Sequence, residues 1–94
     1  MKVKAVFKGI LTNWVGTAEA EIELPDRAVY GDLLKAIDEK FGRKMRPGLW
    51  DKKKKKFDAS VAALVEEKGE KIDSPGAPLH DGQNIYFFLM ALGG

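Results

Sequence analysis

Hydrophobic and polar residues alternate along two stretches near the start of the chain. In residues 2–10 three apolar side chains lie on one side of the chain, and they are Val3, Ala5 and Phe7. The other side carries mostly lysines. Residues 18–24 alternate four apolar side chains with three glutamates, and the apolar ones are Ala18, Ala20, Ile22 and Leu24. A period of two is typical of a strand with one buried face. The intervening residues 11–17, with Asn13 and Gly16, are interpreted as a turn. The pattern predicts a β-hairpin in which lysines face glutamates on the solvent side.

Residues 30–41 have the spacing of an amphipathic helix. Four apolar residues fall on one stripe: Leu33, Leu34, Ile37 and Phe41. Asp32 near the start and Lys40 near the end suit the helix dipole. Gly42 follows where a left-handed cap residue is expected. This segment is predicted to be the one main helix.

The second half of the chain contains shorter elements. Residues 61–65 are predicted to be a buried strand, residues 70–72 a brief strand, and residues 74–78 irregular because of two prolines and a glycine. Asp81 and Gly82 form a predicted turn before a strongly apolar last strand, residues 85–90. The expected fold class is α+β: one domain over residues 1–94, with a mixed sheet of about four to five strands and the helix packed across it.

Composition excludes several classes of site. The chain has no cysteine and a single histidine, His80, so neither a disulfide nor a metal site is expected. No apolar run approaches the length of a membrane span, and the first residues do not resemble a signal peptide. The expectation is a soluble, cytoplasmic protein.

Charge is distributed unevenly along the chain. Residues 43–56 hold eight basic residues and one acid, a balance of +7, whereas the remainder has a balance of −5. Five consecutive lysines, here called the lysine run, contribute most of it: Lys52, Lys53, Lys54, Lys55 and Lys56. A solvated loop is the first interpretation of this run, steering toward an acidic partner the second and nucleic-acid binding the third. Nucleic-acid binding ranks last because only Trp50 and Phe57 flank the run as aromatic residues.

Three motifs together resemble the β-grasp, ubiquitin-like sulfur carriers, which include the small subunit of molybdopterin synthase and the sulfur carrier of the thiamine pathway. The sequence Tyr30-Gly31-Asp32-Leu33-Leu34 opens the helix, and Leu79-His80-Asp81-Gly82 precedes the last strand. Ile85-Tyr86-Phe87-Phe88 then leads to Ala91-Leu92-Gly93-Gly94. The small subunit of molybdopterin synthase is the more similar type, because it suits the long middle segment and the aromatic last strand.

The resemblance implies chemistry on the C-terminal carboxylate. In such carriers a ubiquitin-activating-type adenylyltransferase, using ATP and magnesium, activates the terminal glycine, which then becomes a thiocarboxylate. Here the reactive residue would be Gly94, preceded by Gly93, on a flexible tail of residues 91–94. Glycines lack a Cβ and can thread a narrow channel. No cofactor would be bound by the chain, and the implied partners are the adenylyltransferase and a larger synthase subunit, without a membrane or nucleic acid.

A docking surface is expected on the last strand and the tail. If Ile85, Phe87 and Leu89 face the core, the alternate residues face out, and Val6 and Phe88 could be neighbours on the first and last strands. The predicted partner-binding residues are Val6, Tyr86, Phe88, Met90, Ala91 and Leu92. The alternative is that residues 43–60 cover this face, with Trp50 folded over it.

The remaining candidate residues are given structural roles. Trp50 and Phe57 are predicted to be satellite core, Trp14 to cap the edge of the core, and His80 to be a loop residue. The carboxylates of Asp32, Asp38 and Glu39 are assigned to a solvated helix face. The predicted function is therefore a sulfur carrier, not an enzyme, in molybdopterin biosynthesis. The alternatives are another sulfur pathway such as thiamine, a ubiquitin-like modifier, and a small basic RNA-binding module.

Overall fold

A computed structural model describes residues 1–46, 48–66 and 69–90 of the chain. The elements follow one another as strand β1 (Lys2–Phe7), helix α1 (Leu11–Val15), strand β2 (Glu19–Glu23), helix α2 (Tyr30–Phe41), and strands β3 (Trp50–Asp51), β4 (Lys56–Phe57), β5 (Val61–Val65) and β6 (Asn84–Leu89). No helix in these three ranges is long and apolar enough to cross a membrane.

Four strands form one mixed sheet in the order β2-β1-β6-β5. The first hairpin is antiparallel, β6 runs parallel to β1, and β5 runs antiparallel to β6. The predicted fold class is confirmed, as is the pairing of first and last strands. The β1 lysines face the β2 glutamates as expected: Lys2 Nζ lies 3.9 Å from Glu21 Oε2, and Lys4 Nζ lies 3.7 Å from Glu19 Oε1.

Helix α2 buries the predicted apolar stripe against one face of the sheet. Leu33 and Ile37 are fully enclosed, Leu34 is buried and Phe41 is half-buried. The facing sheet residues are also buried, namely Val3, Ala5, Phe7, Ile22, Ile85 and Phe87. The core therefore lies between α2 and this face, as the two periodicities predict.

The two ends of α2 differ from each other in how well they were predicted. At the start, the Asp32 carboxylate accepts a hydrogen bond from the Val29 N–H at 2.9 Å, so Asp32 has a capping role. At the end, the left-handed cap predicted at Gly42 is wrong, because Gly42 is right-handed (φ −54°, ψ −37°). A glycine is nevertheless favoured here for a steric reason, because a Cβ at this position would lie 2.6 Å from the Asp38 carbonyl oxygen.

Residues 11–17, predicted to be a turn, contain the short helix α1. Leu11 and Val15, four residues apart, are buried on one side of it. Gly16 ends the helix with φ +101° and donates its N–H to the Thr12 carbonyl at 3.0 Å. The following Ala18 is exposed, contrary to the inward orientation predicted for it, because β2 begins only at the next residue.

The irregular stretch predicted after α2 contains a second, two-stranded sheet. Strands β3 and β4 pair antiparallel, with Trp50 opposite Phe57. These two rings meet edge to face, 4.8 Å apart, and the Phe57 ring lies 5.1 Å from that of Phe87. Trp50 and Phe57 therefore belong to the main core, which confirms their structural role and extends it beyond a satellite cluster.

The predicted strands in the second half are confirmed with two adjustments, and so is the Asp81-Gly82 turn. In residues 70–72 only Lys71 forms a β-bridge, to Leu64. Leu89, predicted to face the core, is 39% exposed at the end of β6. The Asp81-Gly82 turn ties β6 to β1, because the Asp81 carboxylate accepts the Lys2 N–H at 2.7 Å. Gly82 has φ +81°, a conformation that favours glycine.

Candidate functional site

The second face of the four-stranded sheet has an apolar centre. Tyr86 on β6 lies opposite Leu64 on β5, and Phe88 lies opposite Ala62. On the other side of β6, Tyr86 is paired with Val6 of β1. Because residues directly opposite each other share a face, these five side chains form one surface, which we call the open face: Val6, Ala62, Leu64, Tyr86 and Phe88.

The register confirms that Val6 and Phe88 are neighbours and defines their arrangement. Val6 lies opposite Tyr86, and Phe88 lies two residues further along β6 on the same face. Val6 and Phe88 are therefore diagonal neighbours rather than partners. Tyr86 is the central residue of the open face, because it is flanked by Val6 on one strand and Leu64 on the other.

The open face retains solvent-exposed surface. Val6, Leu64, Tyr86 and Phe88 are all half-buried, whereas the alternate β6 residues Ile85 and Phe87 are fully enclosed. The alternative prediction, that Trp50 folds over this face, is wrong, because Trp50 packs in the core on the α2 side. An exposed apolar patch on a sheet is typical of an interaction surface.

Charged residues border the open face along β1 and β2. The ion pairs of Lys2 and Lys4 with the β2 glutamates lie on this side of the sheet. The Lys8 ammonium lies 5.8 Å from the centre of the Tyr86 ring, a cation–π distance. An apolar centre with a charged border is the usual anatomy of a protein–protein interface.

Met90 follows β6 at the end from which the tail continues. It is half-buried, and its N–H donates to the Ser60 carbonyl at 2.8 Å. With Leu89 it borders a shallow groove that also includes Trp14, and the Arg46 guanidinium lies 4.7 Å from the centre of the Trp14 ring. The other predicted tail residues lie outside the described residues: Ala91, Leu92, Gly93 and Gly94.

The lysine run forms an exposed loop, as predicted. Lys52, Lys53, Lys54 and Lys55 form the turn of the β3–β4 hairpin, and Lys56 begins β4. Backbone N–H groups hold the turn: the Asp51 carboxylate accepts from Lys53 at 2.9 Å and from Lys54 at 3.0 Å. These bonds lower the pKa of Asp51 below its ordinary value, because they favour the charged carboxylate, and the bond from Lys54 has the larger effect.

The phenol of Tyr30 is buried, whereas His80 is exposed. Burial, aided by the charge of Asp73, raises the pKa of Tyr30, which remains a neutral phenol near pH 7. His80 is exposed in its loop, as predicted, and its backbone N–H donates to the Gln83 side chain at 2.9 Å. Within the three described ranges, histidine and carboxylate side chains form no group of three that could hold a metal ion.

Sequence reasoning missed two members of the open face, Ala62 and Leu64. Strand β5 reads Val-Ala-Ala-Leu-Val, so no alternation of polar and apolar residues distinguishes its two faces. The pairing with β6 supplies that information.

The Asp38 carboxylate was also misassigned to a solvated face, since it accepts a hydrogen bond from the Trp50 side chain.

Comparison with known proteins identifies structural neighbours of the same size. No protein-family model and no curated protein matches the sequence. The structure of SAMP1 from Haloferax volcanii matches with a TM-score of 0.78 and 16% identity, covering 100% of both chains. A putative molybdopterin converting factor subunit 1 from Pyrococcus furiosus matches with a TM-score of 0.71 and 26% identity, covering 97% of this chain and 99% of that one.

A third neighbour comes from an assembly. It is a chain of the complex of subunits 1 and 2 of the molybdopterin-converting factor from Helicobacter pylori, with a TM-score of 0.63, 22% identity and full coverage of both chains. The structural neighbours are thus ubiquitin-like β-grasp proteins of the kind to which the sequence motifs pointed. The chain has the ubiquitin-like β-grasp fold, and among its structural neighbours are SAMP1 and subunit 1 of the molybdopterin-converting factor.

Proposed function

We propose that this chain is a sulfur-carrier protein in molybdopterin biosynthesis, with Gly94 as the residue that is adenylated and thiocarboxylated. The observation that carries the proposal is the arrangement around β6. This strand lies in the middle of the sheet, supplies Tyr86 and Phe88 to the open face, and leads directly to the Gly93-Gly94 sequence. A recognition surface and a candidate reactive group are thereby joined by one short segment.

The proposed chemistry needs no side-chain nucleophile. A carboxylate oxygen of Gly94 attacks the α-phosphorus of ATP, pyrophosphate leaves, and an acyl adenylate forms. A sulfur nucleophile at the oxidation level of sulfide then attacks the acyl carbon and displaces AMP, which leaves a thiocarboxylate. ATP and magnesium belong to the activating partner, so this chain acts as a protein co-substrate and is expected to work in the cytoplasm.

Two partners follow from this proposal. The first is a ubiquitin-activating-type adenylyltransferase, and the second is a larger synthase subunit that consumes the thiocarboxylate. Support for the second comes from the Helicobacter pylori neighbour, which is in a complex of subunits 1 and 2. The open face is the proposed contact surface for both partners, because it is apolar at its centre and charged at its border.

Exchange of labelled pyrophosphate into ATP tests the adenylation step. The assay uses the full chain and an activating enzyme from the same organism. We expect exchange with the full chain and none when Gly94 is deleted. Lys53→Gln, on the exposed lysine loop, is the control and should support exchange within about twofold of the unmodified chain. Equal exchange with and without Gly94 would contradict the proposal.

A second candidate function is that of a ubiquitin-like modifier. It is favoured by the similarity to the small archaeal modifier protein 1 of Haloferax volcanii. Adenylation is common to both functions, so the next step distinguishes them. A modifier would form isopeptide bonds between Gly94 and target lysines, which appear as larger bands on a denaturing gel that resist thiol reagents. A carrier would give the thiocarboxylate without such bands.

The choice among sulfur pathways is tested by the acceptor. A carrier for molybdopterin synthesis should transfer sulfur in the presence of the larger synthase subunit, whereas a thiamine-pathway carrier should not. The RNA-binding alternative has less support, since the two aromatic residues that flank the lysine run are 6% and 8% exposed and face the core. Neither ring is therefore an open platform on which successive bases of a single strand could stack.

A further inference from the structure

A cleft lies on the α2 side of the sheet, opposite the open face. Helix α2, the loop between β4 and β5, and residues 71–75 border this open cleft, which has a volume of about 540 Å³. This is within the range of small-molecule sites in proteins. The cleft is separate from the open face and from the groove beside Met90, so the proposed carrier function does not use it.

The floor of the cleft consists of apolar core residues. Five of its lining residues on this side of the sheet are each 4–8% exposed, whereas Leu33, Ile37 and Ile85 of the same core are fully enclosed. The five are Tyr30, Leu34, Phe57, Ala63 and Ile72. A planar or apolar group that entered the cleft would therefore contact the core directly.

The rim of the cleft is strongly basic. Lys54, Lys55 and Lys56 border the cleft on one side. The rim also includes Lys35, which lies on α2, and Lys71, which lies near β5. None of the five lies within ion-pair distance of a carboxylate in residues 1–46, 48–66 and 69–90.

Two carboxylates also line the cleft, and one is already engaged. Asp58 accepts hydrogen bonds from the Ser60 hydroxyl at 2.7 Å and from the Ser60 N–H at 3.1 Å. Asp73 is the second. Five lysines against two aspartates leave a balance of +3 around an apolar floor.

The start of α2 does not supply the anion site. The N–H of Tyr30 donates to the Ala77 carbonyl and that of Gly31 to the Pro75 carbonyl, both at 2.8 Å. The Asp32 side chain caps the same end of the helix. Recognition of an anion must therefore come from the lysines, whose ammonium groups bind phosphate as point charges.

We propose that this cleft binds a small organic phosphate, with its planar or apolar group on the floor and its phosphate among Lys54, Lys55 and Lys56. The floor distinguishes this ligand from free inorganic phosphate, which has no group to place there. The concave apolar floor also distinguishes it from an extended acidic polypeptide, which would follow the exposed outer side of the lysine run. The site is independent of Gly94.

A titration of the ¹⁵N-labelled full chain with three probes tests the proposal. The probes are AMP, adenosine and inorganic phosphate, and chemical shifts of the backbone amides are followed. We expect saturable shifts with AMP centred on residues 54–59 and 71–73. Adenosine and inorganic phosphate should each bind about tenfold or more weakly than AMP. Absence of saturable shifts with AMP, or equal affinity for AMP and inorganic phosphate, would overturn the proposal.

Two matched triple variants identify the origin of the affinity. Lys54→Gln, Lys55→Gln and Lys56→Gln together should weaken AMP binding by about tenfold, because three charged contacts are lost. Lys40→Gln, Arg43→Gln and Lys44→Gln remove the same charge outside the cleft and should change it by less than about twofold. Equal weakening by both variants would overturn the proposal, since binding would then depend on overall charge. Tighter binding of a short uridine RNA than of AMP would also overturn it, in favour of a nucleic-acid surface.

Discussion

The indole N–H of Trp50 donates a hydrogen bond to the Asp38 carboxylate, with 2.7 Å between Nε1 and Oδ1. This bond joins the last turns of α2 to the β3–β4 hairpin, which carries the lysine run. It also places Trp50 on the α2 side of the sheet and leaves the open face uncovered by that side chain. This one side-chain contact therefore helps to position the lysine run beside the cleft and to keep Trp50 away from the open face.

Removal of the Asp38 carboxylate should destabilise the fold. Asp38→Ala leaves the buried indole N–H of Trp50 without its acceptor, and we expect a loss of about 1–3 kcal/mol in the free energy of unfolding. Urea unfolding followed by circular dichroism measures it. Glu39→Ala, at the neighbouring exposed position, is the control and should change stability by less than about 0.5 kcal/mol. Equal effects of the two variants would show that the hydrogen bond contributes nothing.

Truncation of Phe87 should cost more than any surface change. Its ring is fully enclosed, stacks on Phe7 with 5.6 Å between ring centres, and lies 5.1 Å from Phe57. Phe87→Ala should lower the free energy of unfolding by about 3–5 kcal/mol, because it removes buried area and leaves a cavity. Leu89→Ala, two residues along the same strand but exposed, should cost less than about 1 kcal/mol. Thermal unfolding of both variants tests this, and a Phe87→Ala protein as stable as Leu89→Ala would contradict the packing described.

A charge on the open face should weaken partner binding without unfolding the chain. Phe88→Asp adds a charge to a half-buried position of this face, and we expect at least about a tenfold loss of affinity for the activating enzyme. Ala59→Asp adds the same charge at an exposed position on the α2 side and is the matched control. Calorimetric titration measures the affinities, and circular dichroism checks the fold. Normal binding by a folded Phe88→Asp variant would exclude this face as the docking surface.

The pKa of Asp58 should depend on Ser60. The Ser60 hydroxyl, followed by its N–H, holds the pKa of Asp58 below its ordinary value. Ser60→Ala should therefore raise that pKa, whereas the pKa of Asp51, lowered by the N–H groups of Lys54 and Lys53, should not move. A depressed pKa favours the folded state only while the carboxylate is charged. The contribution of Asp58 to the stability of the fold is therefore present above its ordinary pKa and is lost as the pH falls through its lowered pKa. Carboxyl ¹³C titration measures both groups, and an unchanged pKa of Asp58 would refute the assignment.

The sequence predicted those elements whose periodicity extends over several residues. Strand β1, with buried residues at every second position, was predicted over residues 2–10 and spans Lys2–Phe7, whereas α2, with four apolar residues on one stripe, was placed correctly. Helix α1 was missed because five residues barely exceed one turn, too few for a period to emerge. The β3–β4 hairpin was missed because its strands have two residues each and five lysines dominate the segment.

The candidate site was predicted in part for the same physical reason. Tyr86 and Phe88 are two residues apart on β6, and the predicted pairing of the first and last strands places Val6 beside them, so their shared face was predicted. Leu64 lies on a strand that is apolar throughout, and only pairing with β6 places it beside Tyr86. The basic cleft was not predicted, because Lys35 and Lys71 are far from the lysine run in sequence and only the fold brings them to one rim.

Intact mass spectrometry tests the central proposal most directly. The full chain is incubated with its activating enzyme, ATP, magnesium and a sulfur donor, and the product is fragmented to locate any change. We predict a mass gain equal to the replacement of one oxygen by one sulfur, located at Gly94 and absent when Gly94 is deleted. An unchanged mass with an activating enzyme that is active on another carrier, or a gain located elsewhere in the chain, would contradict the sulfur-carrier function.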